Sequence, residues 1–205
     1  MACGPDPLHI GQALPDAVPV NLFALVGYVP DPLGTFLDQL RCKLVPDCRL
    51  RSHVSFLPPR PIAGSPEQAL EKISAVALHI PEFRIDIGQV EVFAETNVIY
   101  LGLSKGAQEM HCFHGMLNCN ALHFSEPFDY HPHITLAQKF PASELPRLRN
   151  IALREWDRYQ DTRGFDVESF TFVQNNLLPG FDALGVQNNQ WVDLAECHLT
   201  GRSIM

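Results

Sequence analysis

His131-Pro132-His133-Ile134-Thr135-Leu136 decides the reading of this chain, because His53-Val54-Ser55-Phe56-Leu57 repeats its central arrangement. In both stretches a histidine and a hydroxyl residue stand two positions apart, with an apolar residue between them. A strand turns successive side chains to opposite faces, so His133 and Thr135 project together, as do His53 and Ser55. Val54, Phe56, Ile134 and Leu136 then point the other way, into a core. Each strand would present one imidazole and one alcohol to a shared surface, which is the outline of a phosphate site.

Outward from the first motif, Val20 to Val29 has the apolar and β-branched density of a buried strand. Asp31-Pro32 reads as an N-cap with proline at the first helical position, and Leu33, Phe36, Leu37, Leu40 and Leu44 form the stripe of the helix that follows. The first motif strand is expected over about Leu50 to Leu57 and ends at Pro58-Pro59, since proline cannot donate to a ladder. Ser65-Pro66-Glu67-Gln68 is a capping box opening a second helix, with Leu70, Ile73, Val76 or Ala77, and Ile80 inward. Phe83 to Phe93 and Asn97 to Leu103 predict a hairpin.

The second half repeats this order. A helix falls between about Lys105 and Asn120, the second motif strand over about His133 to Gln138, and a further helix from near Ser143 to Tyr159, stopped by Gly164. Strands at about Phe165 to Gln174 and Gln190 to Leu199 close the chain. The loop from Asn175 to Asn189, with Leu178-Pro179-Gly180, is long enough for a binding or lid role, a plain hairpin loop being the alternative. Residues 1–18, rich in Pro and Gly, predict an irregular lead-in, and residues 19–205 a single bilobal domain with halves of about 19–104 and 105–200. The fold class is α+β, with an antiparallel sheet and helices in each lobe and the motif strands lining the cleft between them.

At 205 residues and 46% apolar content the chain can bury a sizeable core. No apolar run approaches the ~20 residues of a membrane span, and no basic segment leads into a hydrophobic one at the N-terminus, so a cytoplasmic protein without a membrane partner is expected. Six cysteines without Cys-x-x-Cys spacing read as reduced thiols. A net charge of −8 argues against duplex DNA as a partner, because a broad phosphate footprint needs a basic surface. Locally, however, Arg41, Lys43, Arg49, Arg51 and Arg60 crowd around the first motif with Asp47 as the one acid among them, which would draw an anion there.

The two His-x-Ser/Thr motifs, with their apolar flanks and duplicated element order over about Val20 to Leu199, resemble the 2H phosphoesterase superfamily. That group contains bacterial 2′-5′ RNA ligases and cyclic nucleotide phosphodiesterases. The resemblance implies a bilobal fold with a pseudo-twofold cleft, His53 and His133 as the catalytic pair, and Ser55 and Thr135 as phosphate-binding hydroxyls. It also implies an RNA end or a cyclic nucleotide as substrate. The runner-up is a catalytically silent module of the same fold that holds an RNA end or nucleotide without turning it over.

The chemistry suits the residues. Opening a 2′,3′-cyclic phosphate needs one group to take a proton from water and another to give one to the departing ribose oxygen, on opposite sides of phosphorus. Two imidazoles near ~6.5 can divide those roles at neutral pH, with no metal and no cofactor required. The reverse reaction, with a 5′-hydroxyl in place of water, would ligate RNA 2′-5′ without ATP. ATP itself is not implied, since neither glycine-rich nucleotide motif is present.

Further candidates are Arg60, placed to reach an anion, and Tyr130, placed to stack a base as aromatic platforms do. His131 shares the strand face of His133 if the strand extends that far, although Pro132 argues for a strand start. His111 and His114 would be neighbours on a helix, but no Cys or carboxylate completes a metal-ligand spacing, so no metal site is expected. A monomer is expected.

Overall fold

The computed structural model describes residues 21–46, 48–175 and 191–200. The 1–18 lead-in lies outside them, as does nearly all of the 175–189 loop. Among the described residues, eight strands and four helices follow in chain order: β1 (Leu22–Tyr28), α1 (Leu33–Leu44), β2 (His53–Arg60), α2 (Pro66–Ala77), β3 (Phe83–Phe93), β4 (Val98–Lys105), α3 (Ala107–Leu117), β5 (His133–Ala137), α4 (Leu145–Arg158), β6 (Gly164–Val167), β7 (Ser169–Asn175) and β8 (Trp191–His198). The class is the α+β arrangement expected, in two four-stranded sheets ordered β2-β1-β7-β8 and β5-β4-β3-β6. All pairings within them are antiparallel.

Local signals set the helices. Ser65 caps α2, its hydroxyl accepting from the Gln68 amide while the Gln68 side chain accepts from the Ser65 amide. Such a box contributes about 1 kcal/mol. Asp31 does the equivalent for α1 from one residue outside the expected position, accepting from both the amide and the hydroxyl of Thr35. Leu33, Leu37, Leu40 and Leu44 are buried, as the stripe predicts.

Several boundaries differ from expectation. β2 runs through Pro58-Pro59 to Arg60, because it is an edge strand and its outer side has no ladder to lose. The stretch Phe165 to Gln174 is two strands, β6 and β7, which belong to different sheets. At the break, the Glu168 carbonyl accepts from the Leu199 amide and so stays satisfied. Gly164 begins β6 where a helix stop was expected.

The sheets do not follow the chain's halves. The β3–β4 hairpin, which precedes α3, pairs with β5 and β6, whereas β7 and β8 return to the sheet of β1, with β7 pairing β1 directly. Each sheet is thereby stitched from both halves, and a single cluster of buried side chains, from Phe23 and Leu25 through Ile85 and Leu101 to Trp156 and Phe172, runs under both. The helices cross as well: α1 contacts β5 and α3 contacts β2. The outcome is that the two motif strands, each at an edge of its sheet, contact one another.

Candidate active site

Alternation along β2 and β5 does what the motif spacing requires. Val54, Phe56, Ile134 and Leu136 are buried in the core, while His53, Ser55, His133 and Thr135 line one cleft of about 1670 Å³. The walls come from both sheets: Ala24, Val26 and Tyr28 of β1 on one side, Phe93 at the end of β3 on the other. Such a space exceeds the common range for small-molecule pockets and accommodates far more than a phosphate group.

The two imidazoles are held alike. His53 Nδ1 lies 2.7 Å from the carbonyl oxygen of Arg51, and His133 Nδ1 lies 2.6 Å from that of His131. A carbonyl only accepts, so in the neutral ring each Nδ1 carries the hydrogen and each Nε2 is the bare nitrogen. His133 Nε2 lies 3.2 Å from Thr135 Oγ1, consistent with the hydroxyl donating to it. The same two-residue offset recurs in both motifs, so the local backbone selects the tautomer without a carboxylate.

Burial disfavours the charged form of both rings. Burial lowers His53 from its ordinary 6.5 to about 4, with the positive charges of Arg41 and His133 acting in the same direction. The bond to the Arg51 carbonyl and the carboxylate of Asp38 oppose this. Burial likewise holds His133 below its ordinary value, aided by His131 and opposed by the bond to the His131 carbonyl.

Around the motifs the structure separates the other candidates. His131 is exposed and lines the cleft, edge-on to both Phe93 and Tyr100. Tyr130 also lines the cleft, but one face of its ring is stacked on His114 at 3.9 Å, and its hydroxyl donates to the Ser55 carbonyl at 2.8 Å. It fastens the segment before the second motif to the first motif strand. Arg60, expected to reach an anion, is not among the residues that line this cleft. Its guanidinium is 1% exposed, ion-paired with Glu126, and donates to Asn118 Oδ1 and the Pro58 carbonyl. A cation buried this far needs its partner inside the protein, and Arg60 has one.

His114 completes the same cluster, with Nδ1 2.8 Å from the Phe56 carbonyl and Nε2 3.5 Å from Glu126. Among the described residues no group of three or more His, Cys, Asp or Glu side chains is placed to hold a metal ion. The five described cysteines are free thiols, and no described helix is long and apolar enough to cross a membrane. Residues unforeseen at the cleft are aromatic: Phe93, stacked on Tyr100 at 4.0 Å; Tyr28, with the Arg51 guanidinium 3.8 Å above its ring; and the exposed Phe128. Tyr28 and Phe93 read as core positions in strands, and nothing local distinguishes an aromatic that faces a cleft from one that faces a core.

A duplicated α+β fold with a His-x-hydroxyl strand on each side of one cleft defines a class of phosphoesterase-like proteins, and comparison with known families agrees. The 2′-5′ RNA ligase superfamily model matches residues 29–177, most of the chain, and the chain belongs to that family. Escherichia coli LigT, solved with 3′-AMP, is similar over 88% of this chain and 98% of its own, at 16% identity and a TM-score of 0.57. TT0787 of Thermus thermophilus is similar over 89% of this chain and 100% of its own, at 16% identity and a TM-score of 0.53. At these identities the likeness is one of fold. No curated protein matches the sequence.

Proposed function

We propose that the chain is a metal-independent phosphoesterase that opens 2′,3′-cyclic phosphates at RNA ends or in related cyclic nucleotides, with ATP-independent 2′-5′ ligation as the reverse reaction. The observation that carries the reading is the matched pair of imidazoles, each anchored through Nδ1 to the carbonyl two residues before it and each lining the same cleft. LigT's complex with 3′-AMP supports a nucleotide-sized ligand in a cleft of this fold.

In the proposed reaction the cyclic phosphate lies between the motifs, with Ser55 and Thr135 donating to its non-bridging oxygens. One histidine enters neutral and its Nε2 takes a proton from water as the water oxygen bonds to phosphorus. The other enters as imidazolium and its Nε2 proton passes to the ribose oxygen as the P–O bond breaks. A bound phosphate anion favours that second, charged ring, which burial by itself disfavours. Proton exchange with solvent resets the pair.

Incubating the pure protein with EDTA and a panel of 2′,3′-cyclic nucleotides and cyclic-phosphate RNA ends tests the reading. Turnover insensitive to EDTA is expected. Measurable binding with no turnover of any member would establish the silent module instead.

A further inference from the structure

Resting on the reading of the cleft as a phosphate site, we propose that Arg41 is its fixed cation, meeting the non-bridging oxygens of the bound phosphate from between the two motif strands. Arg41 lies in the last turn of α1 and is 3% exposed, yet it lines the cleft with His53, Ser55, His133 and Thr135. Its Nη1 donates to the Thr135 carbonyl at 2.5 Å, which ties this helix of the first half to the second motif strand. Nη2 lies 3.5 Å from the Cys48 thiol, and Nε is buried without a hydrogen-bond partner. A guanidinium carries five N–H donors and one positive charge, so two neutral acceptors leave donors and the whole charge unmet.

The contrast with Arg60 gives this its weight. Both guanidiniums are buried, but Arg60 is neutralised by Glu126, whereas Arg41 forms no ion pair with any described residue. Burying an unpaired cation is costly, and the cost is recovered when an anion arrives. Burial also removes the water that would screen the interaction, so the same charge holds a phosphate more tightly than an exposed arginine does. Of the other cleft arginines, Arg51 lies over the Tyr28 ring and 4.0 Å from Asp193, and Arg49 donates to the Pro46 and Cys48 carbonyls.

The imidazoles carry this charge poorly, because burial disfavours the charged form of both. The groups facing His53 are Arg41 and Asp38 from α1, His133 from β5 and Tyr28 from β1, and burial among them lowers the ring below its ordinary value. Arg41 therefore has two consequences: it attracts the anion at any pH in the working range, and its charge adds to the burial that disfavours the charged form of His53.

Sulfate is the probe, because its charge is constant over the range in which the imidazoles titrate. Its dissociation constant is measured calorimetrically on the full chain at about pH 6.5, about pH 8 and about pH 9, the last two lying where imidazoles have lost their protons. Anion binding draws a proton to an imidazole, so affinity falls through the imidazole range, but the wild type is expected to hold sulfate within roughly threefold between the two higher pH values, since a guanidinium does not titrate there. R41Q is expected to weaken it by about tenfold or more, with R41K recovering part of the loss. In R41Q the NMR titration midpoint of His53 should also move up, as the loss of a nearby positive charge requires, which checks that Arg41 carries its charge at the site.

Affinity in the wild type that falls about tenfold per pH unit above the imidazole midpoints would overturn the proposal, and this holds even if R41Q fails to fold. Unchanged sulfate affinity in folded R41Q would overturn it too. If the wild type turns over cyclic phosphates in either case, the phosphoesterase reading survives without Arg41. A wild type that binds no sulfate and turns over nothing removes both.

Discussion

At the scale of single residues, the two histidines differ from free imidazoles in a way that sets the pH dependence. kcat/KM reports the free protein, in which burial pushes His53 down to about 4 and holds His133 below its ordinary value. A bell centred near neutrality is the expectation from unperturbed rings; the observed burial moves the kcat/KM bell to the acid side of neutrality, while kcat, measured with the anion bound, peaks at higher pH. His53→Ala and His133→Ala should each lower kcat by on the order of 10²–10⁴ and remove one limb of the bell. An unchanged bell in both variants would leave the motifs as structural. Ser55→Ala and Thr135→Ala should each cost ~1.5–3 kcal/mol in kcat/KM if their hydroxyls meet charged oxygen in a dry site. Stability follows from the same shifts. Between about 4 and 6.5 the unfolded chain binds more protons at His53 than the folded one, so stability should fall as pH drops through that window. His53→Gln should flatten the fall, which thermal melts across the window would read directly.

At the scale of elements, α3 and the segment leading to β5 hold the first motif strand from behind. Arg60, at the end of β2, pairs with Glu126; His114 of α3 reaches Glu126 and the Phe56 carbonyl; Tyr130 reaches the Ser55 carbonyl. Breaking a buried pair strands the remaining charge, so Arg60→Ala should destabilise the fold by about 3–5 kcal/mol. Arg60→Met combined with Glu126→Leu should recover much of that, since a neutral, well-packed pair removes the desolvation cost. Chemical denaturation of the two variants checks this, and equal losses in both would show that the charge pair is not what matters there. The sequence already placed Arg60 beside the motif. Simple alternation from Val54 and Phe56 gives Arg60 the core face, and the two register shifts of β2, on either side of Leu57, leave it there. What no local pattern writes is Glu126, the distant partner that lets a cation occupy that face. By contrast the capping box of α2 and the stripe of α1 were legible because every group involved lies within a few residues.

At the scale of the molecule, what positions His53 opposite His133 is the exchange of strands between lobes, and this was the least legible feature. Apolar alternation announces that a strand exists and which face it buries; it carries no information about which sheet takes it. Phe165 to Gln174 shows the limit well: the alternation of Phe165 and Val167 changes phase at Glu168-Ser169, which marks a break, but nothing there says that the two strands join different sheets. The motifs, the fold class and the element order were legible because each is written in residues two to four apart. The exchange has a physical consequence. A polypeptide ending near residue 104 would hold a β3–β4 hairpin without β5 or β6, and its β1 would lack β7. Such a fragment would expose unpaired strand edges in both sheets and half of a core that is continuous across them. We predict that fragments 1–104 and 105–205 are each unfolded when expressed alone, whereas the intact chain unfolds in a single cooperative transition. Mixing the two fragments should restore the native amide spectrum, because all pairing partners are then present. Dispersed, native-like NMR spectra from either fragment alone would contradict this, and would mean that each half closes a sheet from its own strands.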